Sequence, residues 1–483
     1  MQHEHVFGGL EIKGITCDSR RVEPGYLFAA LPGNQVDGRQ YIADAVAKGA
    51  PVVLAAEGTE TEFDHEGVCL VTHANPRKAY ASAAAHFFAD QPETIAAVTG
   101  TNGKTSVVSF LRQIWNELGH TAASAGTLGV RVTDRNGLHL PELEQAPSLT
   151  TPDPVDLHRN LAKLAENDVD RLAVEASSHG LDQYRLDGLK VKAAAFTNLS
   201  RDHLDYHRTA EAYGAAKRRL FSEILGDQGI AVINADDATA ATFVQAATDR
   251  RIRTLDFGRS GRDLTLLATE ARPQGLSLEV SAFGERHRAE MSLIGSFQAM
   301  NALCAAGLAI ALGEDTAAAL ASLAELRGVR GRMELAGQTP RGGLVYVDYA
   351  HTPDALASAL QAIKPHTRGR VHVVFGCGGD RDPGKRPEMG AMAAQHADVI
   401  VVTDDNPRTE DPKEIRKAAL TACPDAREIG DRRQAIAEAM AGLADGDVLL
   451  VAGKGHERGQ IVGTETIPFD DADVVAELLG EAR

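Results

Sequence analysis

The glycine-rich stretch at residues 99–106 constrains the fold of this chain more than any other. It reads Thr-Gly-Thr-Asn-Gly-Lys-Thr-Ser, between an apolar run at 95–98 and apolar residues at helical spacing over 107–118. A strand, a turn and a helix in this order form a phosphate cradle, because backbone N–H groups and the helix N-terminus face the anion. Lys104 can then reach phosphate, and the hydroxyl of the next residue can bind Mg²⁺. Position 98 is Val98 where the usual spacing has glycine, so an ordinary strand–turn–helix corner remains the alternative.

The charge balance narrows the classes of partner. The 483 residues include 50 Lys and Arg against 67 Asp and Glu, a formal net charge of −17 at pH 7. This excess of acid argues against nucleic acid or an anionic membrane as the main partner. No segment approaches the roughly 18 apolar residues of a membrane span, and the first residues lack a signal-peptide pattern. We expect a cytoplasmic monomer that binds neither nucleic acid nor membrane.

The length suggests two to four domains, and the alternation of strand and helix patterns predicts an α/β chain of three. Residues 1–90 are expected to form a small N-terminal α/β domain. Residues 91–330 are expected to form a central P-loop-type domain with a mostly parallel sheet covered by helices and an antiparallel flank at about 262–293. A shift to glycine and arginine then indicates a C-terminal Rossmann-like α/β domain, 331–483.

Polar residues follow the predicted strands of the central domain. Glu175 and His203 both come at the carboxyl end of an apolar run, the edge where doubly wound sheets bind ligands. With Thr105 and phosphate oxygens they can converge on Mg²⁺. A capping or core role is the alternative for His203. Lys217 lies in an alanine-rich segment, and its sequence alone predicts a solvated helix face.

A series of motifs, in order across nearly the whole chain, resembles the ATP-dependent Mur ligases of peptidoglycan synthesis. The motifs are residues 99–105, 175–180, 198–207, 348–354, 378–382, 405–408 and 453–457. One such motif would be weak evidence, whereas the full series at the family's spacing is specific. The resemblance implies a three-domain fold, ATP and Mg²⁺ as cofactors, and ligation of an amino acid to a UDP-muramoyl peptide.

The resemblance also implies roles for the matching residues of the nucleotide site. ATP would be bound by Gly100, Thr101, Asn102, Gly103, Lys104, Thr105, Ser106, Asn301, Arg332 and Asp348. The metal ligands would be Thr105, Glu175, His203 and Lys217, and the catalytic residues Lys104, His203 and Lys217. Lys217 would act as a carbamate made from its neutral amine and CO₂, because a plain ammonium would repel Mg²⁺.

Two substrate sites follow from the same resemblance. UDP-MurNAc-L-Ala-D-Glu would be bound by Cys17, Ser19, Asn34, Gln35, Val36, Thr150, Thr151, Ser177, Gln183 and Arg185. Meso-diaminopimelate would be bound by Arg381, Asp405, Asn406, Pro407, Arg408, Gly453 and Glu457. Arg408 can bind the carboxylate at the far end of diaminopimelate, which lysine lacks, and Glu457 can bind the adjacent ammonium. A surface salt bridge from Arg408 to Glu410 is the alternative.

The implied reaction begins with transfer of phosphate from ATP to the D-glutamate side-chain carboxylate, because a carboxylate is a poor electrophile. The amine of diaminopimelate then attacks the acyl phosphate. A lysine-adding relative, a folylpolyglutamate synthetase and a nucleotide-binding module without ligase activity are the alternatives. ATP turnover that depends on both the peptide and the amino acid would separate these hypotheses.

Overall fold

Three main sheets, one after another along the chain, form the framework of the protein. The structure is a computed structural model that describes residues 6–7, 10–33, 36–59, 67–146, 149–272 and 275–480. Its three main sheets have four, ten and six strands and are all covered by helices. In the part of the chain so described, no helix combines the length and apolar character needed to cross a bilayer. The predicted α/β class with three domains is confirmed.

The N-terminal sheet is parallel, with the strand order β3-β4-β5-β6, and a two-stranded hairpin precedes it. The hairpin consists of β1 (Val6–Phe7) and β2 (Leu10–Glu11), and the sheet consists of β3 (Gly14–Thr16), β4 (Tyr26–Ala29), β5 (Val52–Ala56) and β6 (Cys69–His73). Its helices are α1 (Ile42–Ala47) and α2 (Pro76–Phe88), with 3-10 turns at Ser19–Arg21 and Gly38–Tyr41. Helix α2 begins at a proline, and the side chain of Asn75 accepts a bond from the N–H of Lys78.

The central sheet has the strand order β16-β15-β14-β13-β12-β11-β7-β10-β8-β9. Its strands are β7 (Thr94–Thr99), β8 (Ala122–Gly126), β9 (Gly129–Thr133), β10 (Arg171–Glu175), β11 (Val191–Phe196), β12 (Ile230–Asn234), β13 (Arg253–Gly258), β14 (Leu264–Arg272), β15 (Gly275–Ala282) and β16 (Glu285–Met291). Strands β7, β8 and β10–β14 pair in parallel, and β14–β16 pair antiparallel. Both the mostly parallel sheet and its predicted antiparallel flank are therefore confirmed.

Helices cover both faces of the central sheet. They are α3 (Lys104–Glu117), α4 (Pro154–Glu166), α5 (Ser178–Asp182), α6 (Leu204–His207), α7 (Ala210–Arg219), α8 (Ala240–Thr248), α9 (Ser296–Ala311) and α10 (Thr316–Ala321), with a π-helical turn at Leu220–Ile224 and a 3-10 turn at Ser322–Glu325. Alternate residues of β7 enter opposite cores: Ala96 and Val98 pack with α3 and α9, and Ile95 and Ala97 pack with α4. This two-sided burial explains why the residues of β7 between Thr94 and Thr99 are all apolar.

The C-terminal sheet has the strand order β17-β18-β22-β19-β20-β21 and is parallel except at β17. Its strands, followed by a small hairpin, are β17 (Glu334–Gln338), β18 (Leu344–Asp348), β19 (Val371–Phe375), β20 (Val399–Val402), β21 (Arg427–Glu428), β22 (Val448–Ala452), β23 (Gly459–Val462) and β24 (Glu465–Pro468). Its helices are α11 (Pro353–Ile363), α12 (Lys385–His396), α13 (Pro412–Leu420), α14 (Arg432–Ala441) and α15 (Asp471–Leu479), with a 3-10 turn at Lys364–His366. The polar loops after β18, β19, β20 and β22 meet at one edge, which faces the central sheet.

Candidate active site

The turn between β7 and α3 is shaped by two glycines that no other residue could replace without strain. Gly100 and Gly103 have φ values of +152° and +89°. A Cβ atom on Gly103 would come within 2.4 Å of Asn301 Oδ1, and one on Gly100 within 1.8 Å of Thr197 Oγ1. The backbone can therefore approach a ligand closely only with glycine at both positions. This is the geometry that the phosphate cradle requires.

The residues just after β11, the strand that pairs with β7, hold this turn in place. The N–H of Thr101 donates to Asn198 O over 2.8 Å, and the N–H of Asn102 donates to Asn198 Oδ1 over 2.9 Å. The hydroxyl of Thr197 donates to Asn102 O over 2.6 Å. Asn198 was not assigned a role from the sequence, although it opens the motif at 198–207.

Lys104 and Lys217 both lie beneath the turn. Lys104 Nζ donates to the carbonyls of Gly100 and Thr101 over 2.8 Å each, and burial lowers the pKa of this lysine. Lys217 is only 1% exposed, so the solvated position expected from its sequence is wrong. Its Nζ donates to Gly100 O over 2.7 Å and lies 4.4 Å from the centre of the Tyr213 ring.

The surroundings of Lys217 favour a neutral amine. Burial, followed by the nearby charge of Lys104, holds the pKa of Lys217 well below its usual range. Among the described residues the hydrogen-bond partner of its Nζ is a carbonyl, and no carboxylate forms an ion pair with it. A neutral, buried amine is the form that reacts with CO₂, so the residue fits the carbamate that the sequence resemblance implies.

Glu175 ends β10 and is held rigidly at the edge of the cradle. Its two carboxylate oxygens accept bonds from the N–H and the hydroxyl of Thr127, over 2.8 and 3.1 Å. Gly126 makes this possible, because a Cβ there would lie 2.2 Å from Glu175 Oε1. The role of Thr127 could not be predicted from the sequence, because Thr127 lies 48 positions away from its partner Glu175.

His203 lies at the first position before α6 but does not cap that helix. Its backbone is left-handed, with φ +52°, and its side chain makes no capping hydrogen bond. The side chain is 44% exposed, and Nε2 lies 3.5 Å from Asp202 Oδ2. The capping and core alternatives for His203 are therefore wrong. Among the described residues no group of three or more His, Cys, Asp or Glu is close enough to hold a metal by itself. A cation here would need phosphate or water oxygens beside Glu175 and His203.

Two cavities, each of about 560 Å³, open beside these residues. The phosphate cavity is lined by Lys104, Thr105, Glu175, Lys217, Asn301, Arg332 and Asp348 together with the rest of the turn. The arginine cavity is lined by Arg201, Arg381, Asp405, Asn406, Arg408, Gly453 and Glu457 together with neighbouring loops. The two share a wall made of Asp202, His203, Tyr349, His351 and Asp354. The shared wall comes from both the central and the C-terminal sheets.

The residues of the C-terminal part that were predicted to contact ATP reach the phosphate cavity. Arg332 Nη2 donates to Thr105 Oγ1 over 3.3 Å, and its guanidinium lies 4.5 Å from the centre of the Tyr349 ring. Asp348 accepts bonds from the N–H groups of Met333 and Ala350 over 2.6 and 2.8 Å. Burial raises the pKa of the Asp348 carboxyl to about 6. Contacts between the sheets thus complete the cavity.

The loop after β20 presents Arg408 to the arginine cavity. Arg408 has a left-handed backbone, φ +51°, and its Nη1 donates to Gly379 O over 2.8 Å. Glu410 instead pairs with Arg386 over 2.8 Å, so the alternative of an Arg408–Glu410 salt bridge is wrong. Arg381 lines the same cavity, and Pro407 is buried behind it.

The residues predicted for the nucleotide-sugar substrate fall into two groups. Thr151, Ser177, Gln183 and Arg185 are linked to one another by hydrogen bonds, and Thr150 lines the phosphate cavity with Ser177. Cys17, Ser19 and Val36 belong to the N-terminal region, where Cys17 Sγ lies 3.6 Å from Asp153 Oδ2. Asn34 and Gln35 lie outside the described residues.

The central sheet carries a phosphate-binding turn, and the edge of the C-terminal sheet that faces it carries arginines. This arrangement is typical of a nucleotide-dependent ligase. Family comparison agrees along the chain: residues 11–101 match the model for the Mur ligase family catalytic domain, 98–309 the Mur ligase middle domain, and 331–455 the Mur ligase glutamate ligase domain. The chain belongs to the Mur ligase family.

Individual relatives agree with this assignment. The chain is 53% identical over 468 residues to the UDP-N-acetylmuramoyl-L-alanyl-D-glutamate–2,6-diaminopimelate ligase of Caulobacter vibrioides, covering 97% of this chain and 95% of the relative. A solved structure of an enzyme with that same name superimposes with a TM-score of 0.70 at 32% identity, over 97% of this chain and 95% of the other. The Mycobacterium tuberculosis folylpolyglutamate synthase, at 20% identity and a TM-score of 0.66, covers 84% of this chain and 95% of its own and shares the fold.

Proposed function

We propose that this protein is an ATP-dependent ligase that adds meso-2,6-diaminopimelate to the D-glutamate side-chain carboxylate of UDP-MurNAc-L-Ala-D-Glu, a step of peptidoglycan precursor synthesis. The observation that carries the proposal is the wall shared by the phosphate and arginine cavities. A phosphoryl group delivered from one cavity and an amine delivered from the other would meet there. The name of the 53% identical relative supports the same substrates.

In this proposal ATP occupies the phosphate cavity. The N–H groups of the 100–106 turn and the α3 N-terminus receive the phosphates, and Lys104 turns from the loop carbonyls toward the transferring phosphoryl group. Asn301, Arg332 and Asp348 close the cavity around the rest of the nucleotide. Arg332 brings a positive charge from the C-terminal sheet to the same phosphates.

The residues present fit Mg²⁺ as well. Thr105, Glu175, His203 and a carbamylated Lys217 would hold it, because each lines the phosphate cavity and the first three carry neutral or anionic donor atoms. Bound there, Mg²⁺ would neutralise charge on the phosphate oxygens. The carbamate requires the neutral, buried Lys217 amine, which if protonated would bring an unbalanced positive charge into the site.

The chain's own residues would carry the reaction in two steps. The γ-phosphoryl group passes to the D-glutamate carboxylate oxygen, the bond to the β-phosphate oxygen breaks, and ADP remains in the phosphate cavity. The amine of diaminopimelate then attacks the acyl carbon, loses a proton, and inorganic phosphate leaves. The interdomain contacts of Arg201 with Asp382 and Glu388, over 3.0 and 3.5 Å, would keep the sheets together and exclude water from the acyl phosphate.

The arginine cavity would select the amino acid. Arg408 and Arg381 would bind the carboxylate at the far end of diaminopimelate, and Glu457 the ammonium beside it. Asp405, Asn406, Pro407 and Gly453 would shape the loops around this end. L-Lysine would leave the arginines without a carboxylate.

The remaining predicted residues would serve the nucleotide-sugar substrate. Thr150, Thr151, Ser177, Gln183 and Arg185 would bind its peptide end, with Cys17, Ser19, Asn34, Gln35 and Val36 toward the uridine end. We assign this substrate to a domain of residues 1–90, ATP to 91–330 and the amino acid to 331–483. We further propose that the protein acts as a cytoplasmic monomer with no nucleic-acid or membrane partner.

A phosphate-release assay with purified protein tests the proposal. ATP, Mg²⁺ and UDP-MurNAc-L-Ala-D-Glu are combined with meso-diaminopimelate, with L-lysine, or with no amino acid, and the peptide product is identified by mass. We expect release only when peptide and diaminopimelate are both present. Preference for L-lysine would indicate a lysine-adding ligase, and turnover with a folate and glutamate would indicate a folylpolyglutamate synthetase. ATP binding without turnover under any of these conditions would refute a ligase altogether.

A further inference from the structure

Lys454 is a fully buried lysine at the back of the arginine cavity, and the assignments above give it no role. It follows β22 and lies between Gly453 and Gly455, whose φ values are +119° and +56°. A Cβ on Gly453 would lie 2.5 Å from Asp405 Oδ2, and one on Gly455 would lie 2.7 Å from Gly331 O. Both glycines are thus needed for a loop that turns inward, and Lys454 is 0% exposed as a result.

The ammonium of Lys454 fixes the orientation of Asn406. Lys454 Nζ donates to Asn406 Oδ1 over 2.9 Å, and the N–H of Ile461 donates to the same oxygen over 2.9 Å. With Oδ1 engaged by two donors, the amide nitrogen of Asn406 points the other way and donates to Glu457 Oε2 over 2.9 Å. Lys454 therefore sets which end of the Asn406 amide meets the cavity.

The same ammonium also balances two carboxylates. Its Nζ lies 3.4 Å from Glu457 Oε2 and 4.0 Å from Asp405 Oδ1. Of the residues assigned to the far end of diaminopimelate, Asp405 and Glu457 give −2 and Arg381 and Arg408 give +2, so Lys454 raises the sum from zero to +1. Burial lowers the pKa of His456 in the second loop to about 3, which leaves that ring neutral.

A net positive charge at this end of the cavity disfavours a lone cation. The far end of diaminopimelate carries one carboxylate and one ammonium and so is a zwitterion, whereas the far end of L-lysine is a lone cation. Without the charge of Lys454 the sum would fall to zero, and the repulsion of a lone cation would be lost.

We infer that Lys454 is a positioning and specificity residue of the arginine cavity, which holds Glu457 and Asn406 for the ligand ammonium and makes the loops select a zwitterionic amino-acid end over a cationic one. This inference rests on the proposed function. It assigns part of the discrimination against L-lysine to a residue that does not itself touch the ligand. Arg408 supplies the attraction for the carboxylate, and Lys454 supplies the repulsion of an unaccompanied ammonium.

The test is Lys454→Met, which keeps the length of the side chain and removes its charge. The ratio of kcat/KM for meso-diaminopimelate to kcat/KM for L-lysine is measured by phosphate release. We expect this ratio to fall about tenfold or more, mainly through a higher KM for diaminopimelate, because a buried hydrogen-bonded charge is lost. Lys417→Met is the matched control, since Lys417 lies on α13 with its side chain 73% exposed, and its ratio should equal that of the wild type.

A second variant and a second ligand cover the case in which Lys454→Met does not fold. Lys454→Gln keeps a donor for Asn406 but lacks the charge, so it too should lose discrimination. With wild-type protein, 2-aminopimelate, whose far end is a lone anion, should be accepted better than L-lysine, because Arg408 and Arg381 still bind its carboxylate.

The outcomes separate the inference from the function on which it rests. Wild-type protein that does not ligate diaminopimelate refutes the proposed function. Wild-type protein that does so, together with Lys454 variants that keep the wild-type ratio, refutes the role of Lys454 alone. Much better acceptance of L-lysine than of 2-aminopimelate by the wild type refutes the role given to the net positive charge.

Discussion

The substitution Arg408→Ala tests whether a single guanidinium selects the amino acid. In the structure Arg408 Nη1 is anchored to Gly379 O over 2.8 Å and lies 3.4 Å from Asn406 O. In the described part of the chain these anchors use Nη1, which leaves Nε and Nη2 as a fork for a carboxylate. The guanidinium is therefore already oriented before the ligand arrives, so little entropy is lost on binding.

The expected loss follows from this geometry. Truncating one partner of an enclosed, charge-assisted pair costs about 3–4 kcal/mol, which corresponds to a loss of about 100- to 1000-fold in kcat/KM for meso-diaminopimelate. ATP affinity should not change, because Arg408 lines the arginine cavity only. Turnover of L-lysine, which offers no far carboxylate, should not fall below the wild-type value and serves as the internal control.

The substitution Arg408→Gly separates a loss of ligase activity from a loss of folding stability. Arg408 has φ +51°, a conformation that glycine adopts without strain. Arg408→Gly should therefore fold at least as stably as Arg408→Ala and be equally poor with diaminopimelate. Phosphate release measures activity, and thermal unfolding measures stability. Unchanged kcat/KM for diaminopimelate in both variants would refute the assignment of Arg408.

Three further substitutions probe the phosphate cradle, the buried lysine and the core. Gly103→Ala places a Cβ 2.4 Å from Asn301 Oδ1 at φ +89°, so the KM for ATP should rise about tenfold or more; an unchanged KM would contradict the cradle. Lys217→Met should abolish phosphate release without lowering the melting temperature, because it removes a buried amine with a depressed pKa; retained activity would contradict the carbamate. Burial lowers the pKa of His158 from 6.5 to about 4, so the unfolded chain binds a proton first as pH falls, and this residue should contribute a loss of stability of about 3 kcal/mol between pH 6.5 and 4. His158→Gln should flatten this part of the curve in urea titrations, and an unchanged slope would contradict the burial of a neutral ring.

Local patterns predicted those parts of the fold whose contacts are themselves local. The apolar run before residue 99 and the helical spacing after 106 each depend on neighbours a few positions away, so β7 and α3 followed directly from the sequence. The antiparallel flank at β14–β16 was recognisable for the same reason, since strand alternation repeats every second residue.

Contacts between segments that are distant in the sequence could not be predicted from local patterns. Lys217 looks solvated on its own helix, yet it bonds to a carbonyl 117 positions away, and only the packing of α7 under the turn reveals this. Arg408 and Glu410 are two positions apart and of opposite charge, but the left-handed backbone at Arg408 directs the guanidinium to Gly379. Glu410 then pairs with Arg386 on another helix. The family resemblance predicted which residues form the site, and the hydrogen-bond partners of these residues could be seen only in the tertiary structure.

The wall shared by the two cavities has a consequence for inhibitor design. Asp202 and His203 belong to the central sheet, while Tyr349, His351 and Asp354 belong to the C-terminal one. A bisubstrate compound that joins a phosphate mimic to an amino-acid mimic would lie along this shared wall and contact both sheets at once. Its avidity would therefore depend on the two sheets facing each other, and an interdomain substitution such as Arg201→Ala would weaken it more than either half alone.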